Sequence, residues 1–413
     1  MARATLDLKA LLKLAARNLT RNKARSALSL AAIAIGVAGL ILSGGFVNDL
    51  IFQLGEALIH SQSGHVQVAR AGYFEVGSRS PAKYLITPEQ AEQTQLAKLP
   101  HVAEVMRRLN FSALLSNGRS SYPVLGEGIE ADREAKLGTY VLMLQGRALT
   151  QNDRFGAIVG AGVARAMNLQ AGSQISLLSP TVDEAMNTVD VEVVGTFQSF
   201  SADYDDRVVK VLLPTAQELI NTQGVNVLVA LLDETRNTSA VAAAASARTK
   251  GMGLEVMRWE SLNDFYWKAV ALYDRQFGVL RLIVLVMVMF AVVGAMNVAV
   301  LERTGEFGTM RALGNTGADV IRLIVAEGAL MGAIGASLGV LLGLLSAWII
   351  SKVGIPMPPP PNSNFEYTAH IRLDLAVCMS AFAIGFVATV LASIPPALRV
   401  SRLPIVEALR RMI

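Results

Sequence analysis

Gly335-Ala336-Ser337-Leu338-Gly339 has the spacing of a serine-hydrolase nucleophile elbow. That chemistry needs a strand, a sharp turn and a helix around the serine. Here the pentapeptide lies inside a long uncharged apolar run, so acyl transfer is not expected from it. Gly335, Gly339, Gly343 and Ala347 instead recur at every fourth residue, the spacing at which small side chains let two membrane helices approach closely. General glycine enrichment of membrane helices produces the same pattern. Gly160-Ala161-Gly162 follows a short strand signal, but Arg165 stands where a dinucleotide fingerprint needs its third glycine. No G-x-x-x-x-G-K-[ST] phosphate loop occurs, so ATP hydrolysis is not expected of this chain by itself. Cys378 is the single cysteine, and His60, His65, His101 and His370 are scattered, which offers neither a disulfide framework nor a metal site. What remains for binding chemistry is a short segment with Glu306 and Arg311, set between two apolar runs.

Those runs dominate the composition. Of 413 residues, 52% are apolar and 17% charged, against about 25% charged in an ordinary soluble domain. Four stretches contain no Asp, Glu, Lys, Arg or His: Ser26 to Asn48, Leu282 to Leu301, Gly328 to Ser351 and Leu375 to Leu398. Each has the length that a helix needs to cross ~30 Å of hydrocarbon. None holds the midplane charge that ion pumps and proton-coupled carriers use, which disfavours a secondary transporter or channel. Arg3, Lys9, Lys13, Arg17, Arg21, Lys23 and Arg25 precede the first run, opposed there only by Asp7. Arg399, Arg402, Arg410 and Arg411 follow the last. Basic residues stay on the cytoplasmic side, so both termini are expected inside. The first run reads as an uncleaved signal anchor, since no small-residue cleavage site follows it.

Between the first two runs lies a hydrophilic insert, residues 52 to 275, long enough for a domain of its own. Strand signals at 64–70, 124–129, 157–159, 175–178, 189–194, 208–213 and 225–232 are mixed with helix signals at 163–168 and 239–248. Thr87-Pro88-Glu89-Gln90 and Thr215-Ala216-Gln217-Glu218 both read as helix-opening capping boxes. The mixture predicts an α+β domain. Leu262, Phe265, Tyr266, Ala269, Tyr273 and Phe277 recur at helical spacing, which predicts a helical stalk over 261–281 leading to the second span.

Three segments resemble the FtsX/MacB/LolC-type permease superfamily of ATP-binding-cassette (ABC) systems. The first is Arg17-Asn18-Leu19-Thr20-Arg21-Asn22-Lys23, leading into Ala34-Ile35-Gly36-Val37. The second, the most specific, is Arg303-Thr304-Gly305-Glu306-Phe307-Gly308-Thr309-Met310-Arg311-Ala312-Leu313-Gly314, with Glu327 just before the third span. The third runs from Pro396 to Pro404, followed by Glu407-Ala408-Leu409-Arg410. The resemblance implies a membrane α-helical protein with four transmembrane helices and a large extracytoplasmic α+β domain inserted between helices 1 and 2. It divides the chain into an amphipathic N-terminal segment (1–25), span 1 (26–51), a MacB-like periplasmic core domain (52–275) and span 2 with its stalk (276–301). A cytoplasmic coupling segment (302–327), span 3 (328–351), an outer loop (352–374), span 4 (375–398) and a cytoplasmic tail (399–413) follow.

The resemblance further implies a multi-pass protein of the bacterial inner membrane that pairs with a second permease copy or a homologue and contacts a separate cytosolic ABC ATPase. That ATPase carries the ATP-Mg, and no cofactor is expected in this chain. Arg303, Glu306, Gly308, Arg311, Ala312 and Gly314 would form the ATPase-coupling segment, while Gly335, Gly339 and Gly343 pack helices. The alternative for Glu306 and Arg311 is a local salt bridge. ATP-driven motion would pass through the spans to the external domain, for lipoprotein or lipid release, with a periplasmic lipoprotein or adaptor as a further partner and no nucleic acid. A membrane scaffold that activates an extracytoplasmic hydrolase is the alternative, as is a MacB-like exporter of peptides or drugs.

Overall fold

The computed structural model describes residues 8–21, 23–77, 80–359 and 366–404. Helices α1 (Leu8–Arg21) and α2 (Lys23–Leu58) come first, and one π turn, Ile59–Ser63, ends the second. A sheet-rich stretch follows. Its strands are β1 (Val66–Arg70), β2 (Val102–Ser116), β3 (Ser121–Ile129), β4 (Leu142–Gly146), β5 (Gly156–Gly160), β6 (Gln174–Pro180), β7 (Met186–Gln198), β8 (Val208–Leu212), β9 (Val227–Leu232) and β10 (Leu254–Arg258). Between them lie the helical pieces α3 (Tyr73–Val76), α4 (Pro88–Gln93), α5 (Ala131–Leu137), α6 (Ala161–Met167), α7 (Ala202–Asp205), α8 (Leu213–Ile220), α9 (Thr238–Thr249) and α10 (Trp259–Leu262). Helices α11 (Asp264–Glu302), α12 (Thr304–Ala312), α13 (Gly317–Val353) and α14 (Leu375–Ser401) complete the chain, with a small β11 (Ile355–Met357) and β12 (Tyr367–Ala369) pair before α14.

The chain divides into two units. A helical unit takes Met1–Ile51, Val270–Pro356 and Thr368–Ile413; a sheet unit takes Phe52–Ala269 and Met357–Tyr367. Among the described residues, four helices are long and apolar enough to cross a membrane, and they contain the four uncharged runs. They extend past those runs. Thr316 and Asp319 form a capping box that starts α13 eleven residues ahead of Gly328, and Asp319, Arg322 and Glu327 continue that helix as charged residues. The predicted stalk and the second span are one uninterrupted helix, α11, which starts after Asn263; Ser261 and Leu262 belong to the separate turn α10. The predicted tail residues 405–413 and prolines 360 and 361 of the outer loop fall outside the described residues.

In the helical unit α13 packs on α14 and α1. Ile33, Val37 and Ile41 of α2 join Val288, Val292 and Met296 of α11 and Met331 and Ala336 of α13 in one buried cluster.

In the sheet unit the strand order is β10-β1-β9-β2-β3-β8-β5-β7-β4, with β6 bridging β2 and β7. The β3–β8 and β5–β7 pairs are parallel and the remaining pairs antiparallel. Leu109, Phe111, Ala113 and Leu115 alternate along β2 and meet Val209, Val211 and Ala216 in the main core. Each predicted strand is present. The Thr87 capping box is also present, with Gln90 as its third residue. The Thr215 box is not. Helix α8 starts at Leu213 with Pro214 in its first turn, so Thr215 already lies inside the helix, and its buried hydroxyl donates to the Arg154 carbonyl instead.

Strand β2 was not legible in advance because Glu104, Arg107 and Arg108 break its alternation and its register shifts between Val102 and Glu104. The structure shows how those charges are tolerated. Arg108 and Glu134 are both buried, joined by hydrogen bonds of 3.1 and 2.5 Å, and Lys210 adds a third contact to Glu134 at 3.1 Å. Burial pushes the Glu134 carboxyl up, but Arg108 and Lys210 more than offset it and hold it at about 2.

Candidate functional site

The segment singled out in the sequence folds as α12, a short helix between two long apolar ones. Arg303 leaves helical geometry at φ −102°, ψ 11° and so separates α11 from α12. Phe307, 1% exposed, anchors α12 in the helical core beside Val320, Leu323 and Ile324. At the other end Gly314 takes φ +101°, a left-handed conformation that glycine adopts without a Cβ clash. Its amide and that of Asn315 donate to the Arg311 and Met310 carbonyls, closing the helix.

The charged side chains of α12 are tied within the chain. Arg303 is central. Its Nε donates to Glu306 at 2.9 Å, its Nη1 reaches both Glu327 oxygens at 3.0 and 3.1 Å, and its guanidinium lies 5.2 Å from the Phe307 ring centroid. Glu327 also accepts from Asn18 Nδ2 at 2.5 Å, and Glu306 from Arg21 Nη1 at 2.6 Å. Burial pushes the Glu306 carboxyl up, but the hydrogen bonds and charges of Arg303 and Arg21 outweigh it and hold it below the ordinary carboxylate range. Arg311 donates to the Leu403 carbonyl at 2.5 Å. The three motif segments, far apart in sequence, thus meet around one short helix.

Among the six predicted coupling residues, Arg303, Glu306 and Arg311 make these internal bonds, Gly308 is buried, and Ala312 and Gly314 are exposed. Leu313, which sequence reasoning did not single out, is 81% exposed between them. Asn18, the partner of Glu327 on α13, and Arg21, the partner of Glu306 on α12, were also missed. The available signal was their spacing, three residues apart within the first motif segment, which puts them on one face of α1.

Gly335, Gly339 and Gly343 all lie buried on α13 against α2. A methyl group built on Gly339 would fall 2.6 Å from Val37 Cβ and 2.8 Å from the Ala34 carbonyl oxygen; one on Gly335 would fall 2.9 Å from Ile33 Cβ. The glycine row therefore marks a close helix contact, and Ser337 sits in the middle of a helix rather than at an elbow.

Comparison with known proteins agrees with this architecture. The family model for the MacB-like periplasmic core domain matches residues 26–248, and that for the FtsX-like permease C-terminal region matches residues 278–405. The lipoprotein-releasing system transmembrane protein LolC of Neisseria meningitidis is 24% identical over 92% of this chain and 93% of its own length. The macrolide export ATP-binding/permease protein MacB of Rhodospirillum rubrum is 25% identical over 86% of this chain and 55% of its own length. The periplasmic region of MacB from Actinobacillus actinomycetemcomitans covers 50% of this chain and 94% of its own at 12% identity, with a TM-score of 0.36. With four apolar helices, a periplasmic α+β domain after the first of them and both family models matched, the chain belongs to the ABC-transporter permease family that joins a MacB-like periplasmic core domain to an FtsX-like permease region.

Proposed function

We propose that this permease transmits ATP-driven motion from a separate cytosolic ATPase to its periplasmic domain, and that the motion serves lipoprotein release. The observation that carries the coupling reading is α12: a short helix held between two long apolar helices, with Leu313 exposed at its end. A partner that pushes on α12 moves α11 and α13 directly, because Phe307 and Arg303 fix it to both. Ala312, Leu313 and Gly314 form the contact tip, while Arg303, Glu306 and Arg311 hold its orientation. ATP and Mg²⁺ bind the partner, since this sequence has no phosphate loop. The permease works as a pair in the inner membrane with both termini in the cytoplasm, as its basic flanks support. Lipoprotein as cargo is supported by the relatives named for lipoprotein release, one of which aligns along nearly the whole chain.

The test is co-purification of the ATPase with tagged permease, together with release of lipoprotein from spheroplasts. Leu313→Asp places a charge in the contact and is expected to weaken co-purification about tenfold or more, at unchanged membrane yield. Glu306→Lys sets three cations together with Arg21 and Arg303, turns the tip and is expected to act in the same direction. Wild-type co-purification and release in both variants would remove α12 from the coupling role. Release of small drugs instead of lipoprotein would favour the exporter reading.

A further inference from the structure

The N-terminal helix is tied to α12 by more than its place in the chain. Two side chains of α1, one turn apart, bond to two different acids: Asn18 to Glu327 on α13, and Arg21 to Glu306 on α12. Arg303 bridges the same two acids from the junction of α11 and α12. The links close a ring of five side chains, Asn18, Glu327, Arg303, Glu306 and Arg21, with two guanidinium and two carboxylate groups in balance. On the buried side of α1, Leu11 and Ala15 pack into the helical core. The next helix is held too, because Ser26 Oγ donates to the Leu19 carbonyl at 2.9 Å. Asn18, Arg303 and Glu327 of the ring also border a cavity of about 40 Å³, together with Ser29 and Met296.

A helix that only rested on the membrane surface would need exposed cations and an apolar underside. It would have no need of two directed bonds into the coupling segment. We propose that α1 is a second arm of the coupling assembly, with Asn18 and Arg21 as the positioning residues that make α1, α12 and α13 move as one body. The proposal rests on the coupling reading of α12. It adds that α2, which continues from α1, is driven from the cytoplasmic side through this ring as well as through its contact with α13.

The experiment reads amide hydrogen exchange in the reconstituted permease–ATPase complex, with the ATPase trapped by ATP and vanadate or left with ADP. In the wild type, α12 is expected to be protected by the ATPase in both states, and the sheet unit to differ between them. Asn18→Leu removes one bond, and Arg21→Glu sets two acids against each other. Both are expected to shrink the nucleotide-dependent difference in residues 52–269 about fivefold or more, with α12 still protected and the ATPase still bound. Arg21→Lys keeps the charge pair and is expected to retain the difference. Lys13→Glu, the same charge change on an exposed part of α1, is expected to retain it too. A wild-type difference in both Asn18→Leu and Arg21→Glu overturns the proposal. An equal loss in Lys13→Glu also overturns it, since the helix would then act by its charge toward the membrane surface. Loss of α12 protection in the wild type would strike the coupling reading itself, which separates the two failures.

Discussion

Arg108 and Glu134 show what a single buried side chain is asked to carry. Each is nearly inaccessible; Glu134 balances Arg108 and also pairs with Lys210, whose ammonium lies 3.5 Å from Glu127 and within 6 Å of the Phe197 and Tyr204 rings. Removing one member strands the rest. Glu134→Gln is therefore expected to destabilise the periplasmic domain by about 3–5 kcal/mol at neutral pH. The pH dependence has a definite sign. The Glu134 carboxyl is depressed to about 2 in the folded state, against about 4.3 for an unfolded glutamate. Its contribution is complete above the unfolded value and is lost as pH falls toward the folded one. The stability gap between wild type and Glu134→Gln should be constant from pH 7 down to about 5 and narrow steadily from there to pH 2. Denaturant titration of the isolated domain at a series of pH values measures it. A gap that widens on acidification would assign the stabilisation to some other pair.

At the scale of the element, α13 is held against α2 by the absence of side chains. Gly339 faces Val37 and the Ala34 carbonyl, and backbone cannot step aside as a flexible side chain can. Gly339→Leu should separate the two helices and cost about 1–3 kcal/mol or more through overpacking. Gly294 on α11 has nothing within 4 Å of an added Cβ, so Gly294→Ala should be neutral or slightly stabilising. Thermal unfolding of the two variants in detergent compares them, and equal effects would reject the contact.

That glycine row was readable from spacing alone, as were the four apolar runs and the strands whose residues alternate or stay apolar throughout. Legibility ended where a charge is stabilised by something distant in sequence. The alternation of β2 is hidden by Arg108 until α5 supplies Glu134. The start of α13 is hidden by Asp319 until its capping box is seen. The roles of Asn18 and Arg21 depend on acids nearly three hundred or more residues away. Local pattern locates elements; it does not reveal which charges they share.

For the molecule as a whole, the basic flanks predict that residue 150 lies outside the cytoplasm. An alkaline phosphatase fused there should be active and a cytoplasmic reporter silent; the reverse would overturn the topology. The periplasmic domain should also fold when expressed alone as 52–269. Cutting it back to 64–262 removes Leu54, Ala57, Leu58 and Ile59, which pack on Trp259. It also removes the Gln62 carbonyl that accepts from Arg108. The shorter piece should melt about 5 °C lower or more, and equal melting would show that the last turns of α2 belong to the helical unit alone. The pairing of β1 with β10 carries a different lesson. Val66 stands opposite Arg258, so the chain enters the sheet and leaves it on neighbouring strands. Neighbouring strands lie only about 5 Å apart. Everything between them can be treated as a detachable cassette, hung from a gap no wider than a hairpin turn. A swap needs only two ends that meet at that gap, so the sheet-rich domain can be exchanged or diversified in evolution without redesign of the four long helices.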